Sequence, residues 1–269
     1  MGADEARAGE TRTATTATAT GEAATAPPRA GHGLGDRPNL DAGPLTSFGF
    51  AVRASIGRRP MRYLIARRLR GGSAETALFV LAPVTLAGTW VRISEDPARR
   101  VCDVRTFVPT MPRSVRVVER QVLGCLPLTE IGYLDLMAWR YPRLGAAPED
   151  RDTDMSWSAW PDARACCYLG PASTPGLTVT EATDPRTGLV VARSVERRRE
   201  PVRRWEIAEP GRPDSGGLPR RVRVSLPPSG RTTEFHRAGD PVTVPEDAFD
   251  HDPAHLRDHL ERALTGQDG

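Results

Sequence analysis

The stretch RRVRVSLPPSGRTTEFHRA (220–238) decides the fold class of this chain. Its first half alternates strictly, with Val222, Val224 and Leu226 on one side and Arg221, Arg223 and Ser225 on the other. Such alternation is typical of an antiparallel strand with one buried face and one wet face. The PPSG stretch (227–230) carries turn residues and leads into a second strand-like run. The sequence therefore predicts an antiparallel hairpin.

The same β rhythm extends through most of the chain. The turn DPRTG (184–188) joins two apolar runs and predicts another hairpin. Further strand-like runs are ETALFVLAP (75–83), GTWVRISED (88–96), VCDVRTFVP (101–109), SVRVVERQVLG (114–124) and LVVARSVE (189–196). A long antiparallel meander with one apolar face is expected, and that face needs a cover.

Two segments have helical signals. In PMRYLIARRLRGG (60–72), Pro60 stands at a first helical position and Gly71 follows a stripe of apolar residues at helical spacing, Met61, Leu64, Ile65 and Leu69. This pattern predicts a basic amphipathic helix over 60–70, packed on the sheet with its arginines in water; the alternative is peripheral contact with a membrane. Asp252 and Pro253 predict the start of a second helix that ends near Leu264.

Composition divides the chain into a tail and a domain. Residues 1–43 are rich in Thr, Ala, Gly and Pro and have almost no large apolar side chains, so they are predicted to be a disordered N-terminal tail. A single domain is expected over 44–265, followed by a short tail at 266–269.

Charge and cysteine content exclude several classes of protein. The net charge of +3 is too small to favour nucleic acid as a partner. All 37 basic residues are arginine, which indicates a GC-rich bacterial genome. The four cysteines have no CxxC spacing, and reduced thiols are expected. The sequence shows neither a secretory signal nor a run long enough to span a bilayer, so a cytoplasmic location is predicted.

The usual catalytic and metal-binding motifs are missing from the sequence. It contains no P-loop, no GxGxxG after a strand and no GxSxG elbow. His251, His255 and His259 have helical spacing, but there is no HExxH glutamate and no nearby cysteine or other clustered ligand, so a solvated helix face is favoured over a metal site. We predict neither a metal nor a cofactor.

The acids of LPLTEIGYLDLMAWRYP (126–142) raise the question of catalysis. Glu130 and Asp135 are five residues apart, a spacing that aims them in different directions in either a helix or a strand. A general acid/base pair is therefore disfavoured. If the protein were an enzyme, Tyr133 and His236 would be the other acid/base candidates.

The order of these segments resembles the LolA/LolB-like superfamily, specifically its outer-membrane lipoprotein-sorting group. LTEIGYLDL (128–136) is similar to a recurrent segment of that group, matching it at Thr129, Tyr133, Asp135 and Leu136. LFVLAPVTLAGTWVRIS (78–94), FVPTMPRSVRVV (107–118) and VPEDAF (244–249) resemble three further segments in the same order. The resemblance spans roughly 44–260.

The resemblance implies a fold and a function. The fold is mainly β (α+β): a strongly curved, half-open antiparallel β-barrel with helices covering its concave face. The implied function is a non-catalytic carrier of an acyl chain, lipid, lipidated peptide or other hydrophobic ligand. The alternative is a cytoplasmic enzyme that tailors or cyclises a hydrophobic intermediate in bacterial specialised metabolism. Apolar residues of the family-like segments are the predicted ligand contacts: Trp90, Phe107, Val117, Leu123, Tyr133, Leu136 and Trp139.

Overall fold

The computed structural model describes residues 37–145, 157–212 and 217–265. Within these ranges the chain is mainly β, with few and mostly short helices. The strands are β1 (Ser47–Ile56), β2 (Arg59–Arg70), β3 (Ser73–Ala82), β4 (Trp90–Asp96), β5 (Val101–Phe107), β6 (Val115–Arg116), β7 (Arg164–Leu169), β8 (Leu177–Thr183), β9 (Val190–Arg197), β10 (Glu200–Glu209), β11 (Arg221–Leu226) and β12 (Arg231–Thr243). The α-helices are α1 (Glu119–Val122), α2 (Tyr133–Leu136) and α3 (Pro253–Thr265).

All of these strands belong to one antiparallel sheet, in the order β6-β5-β4-β3-β2-β1-β12-β11-β10-β9-β8-β7. Pairing of β1 with β12 joins two meanders of six strands each. Strands β6 and β7 lie at the two edges, so the described sheet is not closed. The predicted antiparallel meander is confirmed.

The predicted turns and the C-terminal helix are also present. Asp184 accepts hydrogen bonds from the Thr187 hydroxyl and the Gly188 amide, each at 2.9 Å, and so closes the hairpin between β8 and β9. The amide of Ala254 donates to the Asp252 carboxylate at 2.8 Å at the start of α3. These local hydrogen bonds agree with the turn and cap chemistry of the sequence.

The predicted helix over 60–70 is wrong, because this segment is strand β2. Met61, Tyr63 and Ile65 are buried on one face of the sheet, and Leu64 and Ala66 are buried on the other. A strand that is buried on both faces reads as a nearly continuous apolar run, in which helical spacing arises by coincidence. Gly71 and Gly72, with φ of 56° and 85°, form the tight turn to β3 instead of a helix end.

The proposed basic helical face is therefore absent from this segment. The Arg67 side chain is fully buried. Arg68 is paired with Glu75 at 2.7 Å and with Asp250 at 2.9 Å. The membrane contact that depended on an amphipathic helix over 60–70 thus loses its basis. Across the described ranges, the helices are too short or too polar to cross a membrane.

The two faces of the sheet have different covers. The core face, which carries Met61, Tyr63 and Ile65, contributes to the larger apolar cluster. The helix face, which carries Leu64 and Ala66, packs against α3 and residues 244–249. Leu256 and Leu260 of α3 are buried there. The longest helix thus lies on the face opposite the larger core.

The packed part of the chain extends beyond the predicted domain start at residue 44. Asn39, Asp41 and Ala42 are buried. The Asn39 amide donates to the Ala138 carbonyl at 2.8 Å. The rest of the predicted N-terminal tail, residues 1–36, and the predicted tail at 266–269 lie outside the described residues.

Candidate functional site

The core face is covered by one irregular stretch, residues 117–144, which we call the covering segment. It contains only the four-residue helices α1 and α2. Its side chains in the larger apolar cluster are Val117, Val122, Leu123, Leu126, Ile131, Tyr133, Leu134, Leu136, Met137, Tyr141 and Leu144. SVRVVERQVLG, predicted as a strand, pairs only at Val115–Arg116 before the chain turns inward.

Asp135 anchors the covering segment to β10. It accepts from the Gly132 amide at 3.0 Å and so caps α2. The Arg203 guanidinium donates to both carboxylate oxygens of Asp135 and also to the Glu130 carbonyl, the last at 3.1 Å. Burial opposes the charge of Arg203, but Asp135 and the Cys125 side chain together outweigh burial, so the pKa of Arg203 is raised. This is a buried bidentate ion pair.

A second buried arginine reaches the same helix from β9. Arg193 donates to the Leu134 carbonyl at 2.6 Å and pairs with Glu181 at 2.7 Å. It also lies 3.5 Å from Asp135 and 5.8 Å from the centre of the Trp205 ring. The charge of Arg193 is thus balanced by two acids while its donors hold a backbone carbonyl of α2.

The end of the covering segment is fixed from β2 and β4. Arg67 donates to the carbonyls of Asn39 and Leu136 and to the Thr76 hydroxyl. Glu95 accepts from the amides of Ala138 and Trp139 at 2.8 and 2.9 Å. Burial lowers the pKa of Arg67 to about 10. Burial also raises the pKa of Glu95, although Arg67 and the two amides favour its charged form.

Glu130 has a different environment from Asp135. Both of its carboxylate oxygens are buried without a hydrogen-bond partner among the described residues. Arg231 lies 3.5 Å away, which is long for a charged hydrogen bond, so we regard it as a through-space ion pair. The Tyr63 hydroxyl is also buried without a partner in the described ranges. Burial, and then the Glu130 charge, raise the pKa of Tyr63.

A small cavity lies between the covering segment and the sheet. Its volume is about 70 Å³. Its wall is mainly apolar and includes Phe50, Ile65, Leu136, Trp205, Val224 and Phe235. Ligand pockets for small molecules are commonly about 300–1,000 Å³. The cavity in this conformation is therefore too small for an acyl chain.

The seven predicted ligand contacts lie in different parts of the structure. Val117, Leu123, Tyr133 and Leu136 lie in the larger apolar cluster, and Leu136 also lines the cavity. Trp139 is partly buried, and its own backbone amide donates to the Glu95 carboxylate. The other two, Trp90 and Phe107, are register partners on neighbouring strands, with ring centres 6.0 Å apart. Trp90 packs against the cluster of the helix face, opposite the cavity.

Three of the four acid/base candidates, Glu130, Asp135 and His236, have separate partners. Asp135 is held by arginines, while Glu130 lies near Tyr63. The exposed side chain of His236 lies 3.7 Å from Glu234.

His251 and His255, which were considered as metal ligands, have ring centres 4.9 Å apart. In the described part of the chain, no group of three or more His, Cys, Asp or Glu side chains is arranged to hold a metal ion.

The sequence interpretation missed the three buried arginines, although one signal for them exists. Arg67 continues the buried positions Met61, Tyr63 and Ile65 at a spacing of two. In the same way, Arg193 stands between Val191 and Val195. An arginine in phase with the apolar face of a strand is predicted to be buried with an acid or a carbonyl, because an isolated buried charge is too costly.

Comparison with known proteins supports the fold alone. No family model and no curated protein sequence matches this chain. An outer membrane lipoprotein-sorting protein domain from Vibrio parahaemolyticus superposes with a TM-score of 0.60 at 13% identity, covering 83% of this chain and 94% of that one. A DUF1329 family protein from Desulfovibrio piger gives 0.57 at 12% identity, covering 79% and 92%.

A third solved structure has the same fold. A LolA superfamily protein from Nitrosomonas europaea superposes with a TM-score of 0.52 at 13% identity, covering 77% of this chain and 90% of that one. The three structures match most of their own length, and all have low sequence identity to this chain. Together with the open twelve-stranded sheet, they show that this chain has a divergent LolA-like fold.

Proposed function

We propose that this protein is a non-catalytic carrier that holds an acyl chain, a lipid or another hydrophobic ligand between the core face and the covering segment. The observation that carries the proposal is the cover itself. A long apolar sheet face is closed by an irregular segment, and a cavity of about 70 Å³ remains beneath it. One solved structure with this fold is named as an outer membrane lipoprotein-sorting protein domain, and that name supports a ligand that carries lipid.

Ligand entry requires the covering segment to move away from the core face. The buried arginines and Glu95 hold the backbone at Glu130, Leu134, Leu136, Ala138 and Trp139. Gly124 and Leu126 are joined to the same fixed part, because the Tyr133 amide donates to the Gly124 carbonyl and the Leu126 amide donates to the Ile131 carbonyl. Within the described residues, neither the buried arginines nor Glu95 bonds the backbone of 118–123. We therefore assign the opening movement to residues 118–123 of the covering segment, with residues 124–139 as the fixed part.

Hydrophobic burial supplies a large part of the free energy that such binding needs. An acyl chain that buries about 300 Å² gains roughly 7 kcal/mol at about 25 cal/mol per Å². Part of this gain offsets the loss of ligand freedom and the opening of the cover. Affinities in the micromolar range are expected once anchoring contacts add to the gain.

The proposal predicts that a brominated fatty acid binds and quenches Trp205. Trp205 lines the cavity and is almost fully buried, so a bromine atom beneath the covering segment comes close to its ring. Delipidated protein is titrated with dibromostearate while tryptophan fluorescence and thermal unfolding are recorded. At a ligand concentration of 100 times Kd, stabilisation of about 2.7 kcal/mol is expected.

The Trp205→Phe variant is the matched control. It should keep the thermal stabilisation and the ligand adduct in native mass spectrometry but lose most of the quenching. If fatty acid, lysophospholipid and lipopeptide all give neither an adduct nor a thermal shift with the wild-type protein, the carrier proposal fails.

A further inference from the structure

A second, larger depression lies where β8 begins, β9 ends and β10 begins, beside α1. Its volume is about 850 Å³, within the range of ligand pockets. We call it the arginine groove and define it by Arg120, Arg197, Arg198, Leu177 and Val202. It is distinct in its lining from the small cavity beneath the covering segment.

The arginine groove carries an excess of positive charge. Arg120, Arg197 and Arg198 are exposed, and none of them makes an ion pair within the residues that the structure describes. Glu200 is the acid in the lining, and Glu119 lies nearby, where it accepts from the Ser173 hydroxyl at 2.7 Å and lies 3.9 Å from Arg143. The three arginines therefore outnumber these two acids. Three guanidinium groups therefore remain available to an anion.

The two residues at the tip of the hairpin between β9 and β10 are unfavourable for the backbone conformation of that turn. Arg198 and Arg199 form a two-residue turn with φ of 52° and 73°. Such a turn favours Asn-Gly, because side chains with a branched or long stem resist positive φ. Residues kept in a sparsely populated backbone conformation often mark a functional site. Arg198 is the one of the two that lines the groove.

The floor of the groove is apolar. Leu177 and Val202 are partly exposed in the groove and pack against the larger apolar cluster on their other side. The apolar interior thus reaches the surface beside unpaired arginines. Val122 of α1, in the part of the cover that we expect to move, belongs to the same cluster.

We propose that the arginine groove binds the anionic head group, a carboxylate or a phosphate, of an amphiphile whose hydrocarbon chain enters the apolar interior past Leu177 and Val202. This inference rests on the proposed carrier function. It specifies the ligand as an amphiphile with an anionic head group. Charge-assisted hydrogen bonds from guanidinium groups select such a head over a neutral one.

The test compares three amphiphiles with the same oleoyl chain: oleate, oleoyl lysophosphatidate and neutral monoolein. Binding is measured by calorimetry below the micellar concentration, with inorganic phosphate as the ligand without a chain. The wild-type protein is expected to bind the two anions about tenfold more tightly than monoolein, a difference of about 1.4 kcal/mol. The preference should shrink as NaCl rises from about 50 to 500 mM.

Two variants at the hairpin tip separate binding from stability. Arg198→Asn removes a groove charge and relieves the turn, so it should weaken anion binding about fivefold, leave monoolein unchanged and raise Tm by roughly 2 °C. Arg199→Gly relieves the same turn outside the groove. It should raise Tm similarly and leave all three affinities unchanged.

Four outcomes would overturn the inference. If the anions bind no more tightly than monoolein, or if Arg198→Asn leaves their affinity unchanged, the head-group site is wrong while the carrier proposal stands. If inorganic phosphate alone saturates the groove below millimolar concentration, the site is one for free anions. If none of the three amphiphiles binds, the carrier proposal itself fails, and this inference fails with it.

Discussion

Replacing Asp135 with leucine is expected to lower the free energy of unfolding by about 3–5 kcal/mol. The substitution removes the buried partner that binds Arg203 in a bidentate pair and lies 3.5 Å from Arg193. It also removes the acceptor of the Gly132 amide. A buried guanidinium without its acid keeps its desolvation cost and loses the attraction that offset it. Chemical denaturation followed by tryptophan fluorescence measures the change.

A surface pair provides the control for the Asp135 substitution. Asp103 contacts Arg105 at 3.1 Å and Arg116 at 2.6 Å, and both arginines are mostly exposed. Asp103→Leu should therefore cost less than about 1 kcal/mol. The double variant Asp135→Leu/Arg203→Met should recover much of the stability, since apolar replacement of both members of a buried pair is often nearly neutral. If Asp135→Leu and Asp103→Leu lowered the free energy of unfolding equally, the anchoring role of Asp135 would be contradicted.

The second large effect is expected where α3 meets the sheet. Gly49 lies on the helix face of β1, and a Cβ atom there would stand 2.2 Å from Leu260 Cδ2 and 3.3 Å from Val244 Cγ2. Leu260 is fully buried and has little room to move. Gly49→Ala should therefore cost about 1–3 kcal/mol through overpacking.

A double-mutant cycle tests this close approach. Leu260→Ala alone should cost about 2–5 kcal/mol, because it leaves a cavity beneath α3. In the double variant the new methyl group occupies part of that cavity, so the total cost should fall below the sum of the single costs by about 1 kcal/mol or more. Strict additivity in equilibrium unfolding would show that Gly49 and Leu260 do not constrain each other.

The candidate site was only partly predictable from the sequence. The segment LTEIGYLDL (128–136) was singled out, and the angular argument against a catalytic pair agrees with the separate environments of Glu130 and Asp135. The partners of Asp135 were not predictable, because Arg193 and Arg203 lie 58 and 68 residues further along the chain. Nothing local in the sequence indicates which strands will face the covering segment.

The contacts with a ligand, the identity of that ligand and the cytoplasmic location stay predictions. Trp90 and Phe107 show the limit of choosing ligand contacts by residue type. They belong to family-like segments, yet Trp90 packs on the helix face and stacks with Phe107.

The sequence by itself determined the features that depend on neighbouring residues. Alternation at 221–226, the turns at 184–188 and 227–230, and the cap at Asp252 are local patterns, and each recurs in the structure. Tertiary structure alone decided that β2 is a strand, and only in a strand does the spacing of Arg67 predict that it is buried. It also decided that α3 covers the face opposite the larger core. The physical reason is that burial of both strand faces and ion pairing between distant residues depend on three-dimensional neighbours, which a local period does not encode.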